Sequence, residues 1–482
     1  MTVEFLVATG DEVEVRAPAD ETVVGSVRLS TVDDVADAVR RARQALQSWR
    51  HASPFDRGRV LARGAARLRE RSEELGILHS RESGKVLAQA LREVTGAAFL
   101  LEENAHIARF SSGYLAPTGA LAGGEKDLTI VERVPLGVVV CVIPFNFPVE
   151  LVIEKAGAAL AAGNAVIVKP PPQNPLATIE TVSVLVESGL PEGLISVVTG
   201  GRDVSAALCS AEGVDAVSLT GSVAAGIAVA QATAHLLRPL HLELGGNGAA
   251  IITEDTDLDH VVGETLRGRL LMNGQACAAT KRLVVERSVS DELVQRLDTA
   301  LSQVRVGDPT DPESDLGPLI DASSAARVAS QVSHAVDQGG SLAFGDASSD
   351  RAWFSPVILS SLPEDADVAR DDEIFGPVVS VIPFEGEAQA VRIVNSSQLA
   401  LTAAVFCTDV GRAMGIAQQL DVGGVVINGT NNYRPPVVPF GGVGLAGAGR
   451  EGLGYTFDEL TRSKFIAIRN IRPAGIPIGG AN

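Results

Sequence analysis

Cysteine is scarce in this chain: Cys141, Cys209, Cys277 and Cys407 lie far apart in 482 residues, with no CxxC pair among them. That scatter excludes a disulfide framework and a cysteine-based zinc site, which need clustered ligands. The 7 histidines form no HExxH, so no metal is expected. Aromatic residues are few at 4%, against 49 glycines, a balance that suits the tight turns of an α/β enzyme. Positive charge is in deficit, the net charge being -19. Nucleic acid and anionic membranes are bound by clustered Lys and Arg, which a general acidic excess opposes, so neither partner is expected. Long hydrophobic runs are also missing: the stretch from Val138 to Phe145 is broken by Pro144 and ends at Asn146. The opening MTVEFLVATGDEVEV carries acids where a secretory leader carries bases, so a cytoplasmic location is expected. The N-x-S/T matches at Asn395 and Asn428 have no weight without such a leader.

What is present is a chain longer than a single core usually supports, so two large domains are expected. Thr31 and Asp34 begin an amphipathic helix with a capping-box pattern, and Ser53-Pro54 begins a second helix whose arginines, Arg57 through Arg71, read as a solvated face. From Gly137 to Glu243, short β-rich runs (GVVVCVI, AVIVK, LISVV, DAVSL, HLEL) alternate with helical stretches, the pattern of a doubly wound parallel sheet. Ligands in such sheets sit beyond the carboxyl ends of the strands. The segments that follow the runs are PFN with Asn146, KPPPQ with Lys169 and Pro172, TGGR with Gly201, TGS with Gly221 and Ser222, and GGN with Gly245. A second α/β stretch runs from about 249 to 445, with strands such as VSVIPF and AAVF, which implies two interleaved domains and a cleft. GVGLAG and GAGREG, spanning 442–452, satisfy GxGxxG but follow no predicted strand of a βαβ unit, and read as a flexible glycine-rich loop.

Three residues carry candidate chemistry. Cys277, in MNGQACAATKR, sits in a polar, glycine-bearing loop that could open a helix and supply the backbone donors a thiolate needs; a small core cysteine is the competing reading. Glu243 ends an apolar strand, where burial raises a carboxyl toward the pKa of a general base; a strand-end Glu capping the next loop is the competitor. Asn146 could donate its amide to an oxyanion or form an Asx turn or N-cap before Pro148.

IPFNFP, IVKP, LTGS, LELGGN, GQAC, EIFGP and PFGG occur in that order in one chain, and with them the whole chain resembles the aldehyde dehydrogenase superfamily. The intervals between Asn146 and Lys169, Glu243 and Cys277, and Cys277 and Glu373 are in keeping with that family. The resemblance implies a Rossmann-like cofactor domain over 1–116 and 136–245, an α/β catalytic domain over 246–446, and a small β oligomerisation element over 117–135 and 465–476. It implies that Cys277 is the nucleophile, Glu243 the general base and Asn146 the oxyanion donor, assisted by the backbone N–H of Cys277. For the cofactor it implies Lys169 at the adenosine ribose, Gly201, Gly221, Ser222, Gly226 and Gly245 along the pyrophosphate side, and Glu373 with Phe375 at the nicotinamide ribose and ring. The implied reaction is NAD(P)-dependent oxidation of an aldehyde to an acid through a thiohemiacetal and a thioester on Cys277. The implied assembly is a homodimer or homotetramer.

The chain departs from the family in two places. NAD-preferring members carry a Glu three residues after the ribose Lys; this chain has Pro172, so NADP is tolerated and could be preferred. Members acting on simple aliphatic aldehydes carry an aromatic where this chain has Glu154, and bulkier neighbours than Ala276 and Ala278 beside the cysteine. With Phe147 and Arg434 these residues imply a wide, partly polar tunnel for an aromatic or anionic (phosphorylated or phosphonate) aldehyde, unless Arg434 is paired with an acid. A coenzyme-A-acylating enzyme of the same fold typically lacks the base, so Glu243 opposes that alternative. A thiol hydrolase would need Cys277 but none of the cofactor segments.

Overall fold

The computed structural model describes residues 5–111 and 113–471. Its first sheet is built where the alternating pattern predicts it. In spatial order the strands are Gly447–Ala448, Leu240–Glu243, Ala216–Thr220, Val138–Val142, Ala165–Lys169 and Ile195–Val197. All neighbours pair in parallel except Gly447–Ala448, which is antiparallel to Leu240–Glu243. Ala165–Lys169 is buried throughout and Val138–Val142 nearly so, as expected of strands covered on both faces, and the β-branched residues in these runs suit that setting. Because these strands run parallel, Val142, Lys169, Val197, Thr220 and Glu243 end along one edge, and the loops that follow them converge there.

The helices come from local signals. Val32–Trp49 starts at Thr31 with the full capping box to Asp34, and Pro54–Glu70 starts at Ser53, whose hydroxyl accepts from the Asp56 N–H. The arginine-rich face of the second helix is only partly solvated. Arg57 donates to the Ala161 carbonyl at 3.0 Å, and Arg63 to the Ser188 carbonyl at 2.8 Å, satisfying helix-end carbonyls of neighbouring segments.

The second sheet has the order Ser341–Phe344, Val357–Ser360, Val378–Phe384, Arg282–Glu286, Ala249–Ile252, Thr402–Phe406 and Gly424–Ile427, parallel except at the first strand. A third sheet pairs Leu128–Pro135 with Tyr114–Ala116 on one side and Thr461–Ile468 on the other. That last strand begins at Thr461, ahead of the predicted position 465; residues 472–476 of the predicted element lie outside the described residues.

The glycine-rich segment over 442–452 is not a flexible loop. Val443–Gly444 pairs with Leu399–Ala400, Gly447–Ala448 pairs with Leu242 and Glu243, and the Leu244 N–H donates to the Ala446 carbonyl at 3.0 Å. Gly447 is required here: its φ is 142°, and a Cβ would lie 2.3 Å from the Leu242 carbonyl oxygen. The chain therefore returns to the first sheet after completing the second. Among the described residues no helix is long and apolar enough to cross a membrane.

Candidate active site

The loop that carries Cys277 follows the helix Leu258–Arg269 through a tight turn in which Met272, Asn273 and Gly274 all have positive φ, at 52°, 56° and 81°. Asn273 secures the turn by donating its amide to the carbonyls of Gly84 and Pro318, both at 2.7 Å. Only glycine fits at 274, where a Cβ would lie 2.3 Å from the Gly376 carbonyl. No helix begins at Cys277, contrary to the sequence-based expectation. The loop runs into the strand Arg282–Glu286, because the β-branched run RLVVE joins the second sheet. Cys277 is half-buried between the buried Ala276 and Ala278. Burial first, and the Glu243 carboxylate second, push its thiol up, while Lys281 and Arg434 oppose them.

Asn146 is delivered by the loop after Val138–Val142. Its backbone carbonyl accepts from Lys85 Nζ at 2.7 Å, and its side-chain amide donates to the carbonyl of Gln275 at 2.9 Å, two residues before Cys277. Its Oδ1 accepts the Phe147 N–H at 3.1 Å. The cap of the next helix is supplied elsewhere: Glu93 Oε1 accepts the N–H groups of Val149 and Glu150 at 3.0 and 3.2 Å. The Asn146 amide is thereby left to point toward the cysteine loop. Phe147 stacks under the Lys85 ammonium, which lies 3.8 Å from its ring centre.

Glu243 ends its strand buried, and its Oε1 has no hydrogen-bond partner among the described residues. Burial, then the neighbouring Glu451 carboxylate, raises its carboxyl to about 8. Around it lies an ionic cluster that the sequence reading did not assemble. Lys155 Nζ meets Glu451 Oε1 at 2.6 Å, and Arg434 Nη2 meets Glu451 Oε2 at 2.9 Å and Glu154 Oε2 at 3.9 Å. Glu451 is pushed up by burial, but Lys155 and Arg434 outweigh that and hold it at about 2. Arg434 also stacks 3.9 Å from the centre of the Phe440 ring, and Glu154 accepts the Gly452 N–H at 2.9 Å. The wide π-type turn Ile153–Gly157 carries Glu154 and Lys155 into this cluster. The available signal was two charges inside the otherwise apolar stretch LVIEKAGAALAAG.

Along the carboxyl edge of the first sheet, Lys169 is 5% exposed, with its amine lowered to about 8 by burial and no hydrogen-bond partner among the described residues. Gly201 caps the helix Arg202–Ser210, and Ser222 caps Val223–Thr233, so two helix N-termini open on the same edge. Gly221 donates its N–H to the Glu243 carbonyl at 3.0 Å, and Gly226 allows close packing, since a Cβ there would lie 2.6 Å from Leu244. Pro172 is exposed in the bend after the Lys169 strand. From the segment that leads into the strand Val378–Phe384, Glu373 Oε1 accepts the Gly246 N–H at 3.3 Å, and a Cβ on Gly245 would lie 2.4 Å from its Oε2. Phe375 packs edge-on against Phe145, ring centres 6.0 Å apart. Hydrogen bonds thus tie several of the predicted residues together: Asn146 to the Cys277 loop through Gln275, Gly221 to Glu243, and Glu373 to Gly246.

The model of the aldehyde dehydrogenase family matches residues 5–466. The chain is 34% identical over 468 residues to betaine aldehyde dehydrogenase 2 of Rhizobium meliloti (strain 1021), covering 95% of each protein. It is 32% identical over 461 residues to 3-sulfolactaldehyde dehydrogenase of Priestia megaterium, again covering 95% of each. Among solved structures, it superposes with a TM-score of 0.92 on NADP-dependent glyceraldehyde-3-phosphate dehydrogenase of Bacillus halodurans C-125 complexed with NADP, at 33% identity, covering 95% of this chain and 96% of that one.

Proposed function

The chain belongs to the aldehyde dehydrogenase family, and from that premise we propose that it oxidises an aldehyde to the carboxylic acid through a thioester on Cys277, using NAD or NADP. The observation that carries the reading is the buried Glu243 carboxyl, orphaned at Oε1 among the described residues and raised to about 8, near enough to act on the Cys277 thiol, with the Asn146 amide bonded to the same cysteine loop. A carboxyl at a strand end that merely capped a loop would have its oxygens bonded.

The residues present fit a nicotinamide dinucleotide. Lys169 offers a buried ammonium without a hydrogen-bond partner among the described residues, Gly201 and Ser222 head two helices suited to phosphate, and Gly245 leaves room beside Glu373. Lys169 would hold the adenosine ribose, the Ser222 helix start the pyrophosphate, and Glu373 with Phe375 the nicotinamide end. When bound, the oxidised nicotinamide supplies the hydride acceptor.

This chain's own residues then do the following. The Cys277 thiolate attacks the aldehyde carbon, and the oxyanion is held by the Asn146 amide and the Cys277 backbone N–H. Collapse of that oxyanion expels the hydride and leaves the thioester. Glu243 removes a proton from water, the water oxygen attacks the thioester carbonyl, and the Cys277 sulfur leaves as thiolate with the acid as product.

Arg434 spends Nη2 on Glu451 and Glu154, and among the described residues its Nε and Nη1 have no hydrogen-bond partner. The pairing with acids set against a substrate role for Arg434 is therefore present, and support for an anionic aldehyde rests on its two remaining donors and on relatives named for a sulfonated and a phosphorylated aldehyde, while another relative is named for betaine aldehyde. The test is a panel of anionic, aromatic and aliphatic aldehydes with each cofactor, read by absorbance of the reduced nicotinamide, alongside Cys277→Ser. We expect turnover that depends on Cys277 and is fastest with an anionic aldehyde. Turnover by the serine variant would remove the mechanism, and an aromatic or aliphatic optimum would remove the role of Arg434.

Among the described residues nothing pairs with the outer edge of the strand Thr461–Ile468, which exposes Phe465, Ile466 and Ile468, and this supports association of identical chains into a dimer or tetramer. Sedimentation that returned a monomer at micromolar concentration would overturn this.

A further inference from the structure

Lys281 has no part in the chemistry described above, yet it is 2% exposed and its ammonium meets four acceptors. They are the carbonyls of Gly246 at 2.6 Å, Ala276 at 2.9 Å and Cys277 at 2.7 Å, and Glu373 Oε1 at 2.9 Å. Its position also lies 5.7 Å from the centre of the Phe375 ring. A buried ammonium is costly unless its donors are filled, and here they are filled by the two loops that carry the nucleophile and the strand-end glycines, together with the carboxylate proposed to bind the nicotinamide ribose. Simple structural satisfaction would be met by any three carbonyls. The connection made here is between Cys277 and Glu373.

We infer that Lys281 is a positioning residue that ties the Cys277 loop to Glu373 and sets how readily the cysteine ionises. Its positive charge favours the thiolate, while Glu373, paired with it, offsets that charge. The other charged groups acting on Cys277 are Glu243, which opposes ionisation, and Arg434, which favours it; Arg269 also acts on Lys281. The two partners therefore act on Cys277 with opposite signs, whereas a purely mechanical brace would show no such antisymmetry.

The inference rests on Cys277 being the nucleophile, and the experiment separates the two. The free protein, without cofactor, is alkylated with iodoacetamide across pH 6 to 10, with modification of Cys277 followed by peptide mass spectrometry, and turnover of Cys277→Ser is measured in parallel. In Lys281→Met the profile should move up by about one unit, a roughly tenfold slower alkylation at neutral pH. In Glu373→Gln it should move down. Lys281→Arg, which keeps the charge in a different shape, should stay near the native profile while its turnover falls. If Lys281→Met does not fold, the downward shift in Glu373→Gln and the retained profile in Lys281→Arg carry the test. Unchanged profiles, or shifts of the same sign in the Lys281→Met and Glu373→Gln proteins, would overturn the role of Lys281. A Cys277→Ser protein that keeps its turnover would instead overturn the nucleophile.

Discussion

Asn146 donates its side-chain amide to the carbonyl of Gln275 across 2.9 Å, bridging 129 residues of sequence to a point two residues before Cys277. This bond holds the proposed oxyanion donor on the cysteine loop before any substrate arrives. Asn146→Ala should lower kcat by about 10²–10³-fold, the usual cost of one oxyanion donor, with a much smaller change in KM. Steady-state kinetics check this, and a loss confined to KM would show that Asn146 binds substrate without stabilising charge.

Glu243, raised to about 8, serves as a base only when ionised, so the hydrolytic step should accelerate as pH rises through that value. Glu243→Gln should give one burst of reduced cofactor followed by stalled turnover, seen by stopped-flow absorbance. Because the folded carboxyl holds its proton above the unfolded value of 4.5, the native fold loses stability as pH rises from there toward about 8. Glu243→Gln escapes that loss, so its melting temperature relative to the native protein should rise between pH 5 and pH 9. A pH-independent difference would mean that Glu243 titrates normally.

Pro172 stands where a carboxylate would accept the ribose diol and repel a 2′-phosphate of about two negative charges. Measurable NADP turnover is expected, with kcat/KM for the two cofactors within about two orders of magnitude, roughly 2.7 kcal/mol. Pro172→Glu should lower activity with NADP more than with NAD. An unchanged ratio would place the preference in other residues.

Arg434 neutralises Glu451, which is 1% exposed, and it lies near Glu154. Arg434→Met would leave these carboxylates short of positive charge and should destabilise the fold by about 3–5 kcal/mol. Arg434→Lys, which restores a charge without the planar contact to Phe440, should recover part of that loss. Chemical denaturation measures both, and a Met variant of native stability would show that Lys155 alone balances the cluster.

Much of this was legible without coordinates because its causes are local. The strands Val138–Val142 and Ala165–Lys169 form from short β-branched runs, and the capping residues Thr31 and Ser53 lie within three residues of the groups they bond. The motif residues Asn146, Lys169, Ser222 and Glu243 fall at strand ends or just beyond them, where a parallel sheet gathers its loops. The glycine-rich segment at 442–452 misled for the same reason. Nothing local in it signals a strand, and Gly447 pairs only because Glu243 lies alongside.

The sequence by itself determined the order of elements, the two α/β halves and the motif residues that mark the cleft, since these follow from hydrophobic period, caps and turns. Only the tertiary structure decided what surrounds those residues. Lys155 finds Glu451 across 296 positions, and Lys281 meets Glu373 from a different loop. The physical reason is that a buried charge persists only where folding supplies its counter-charge and excludes water, and neither condition exists until distant segments have packed together.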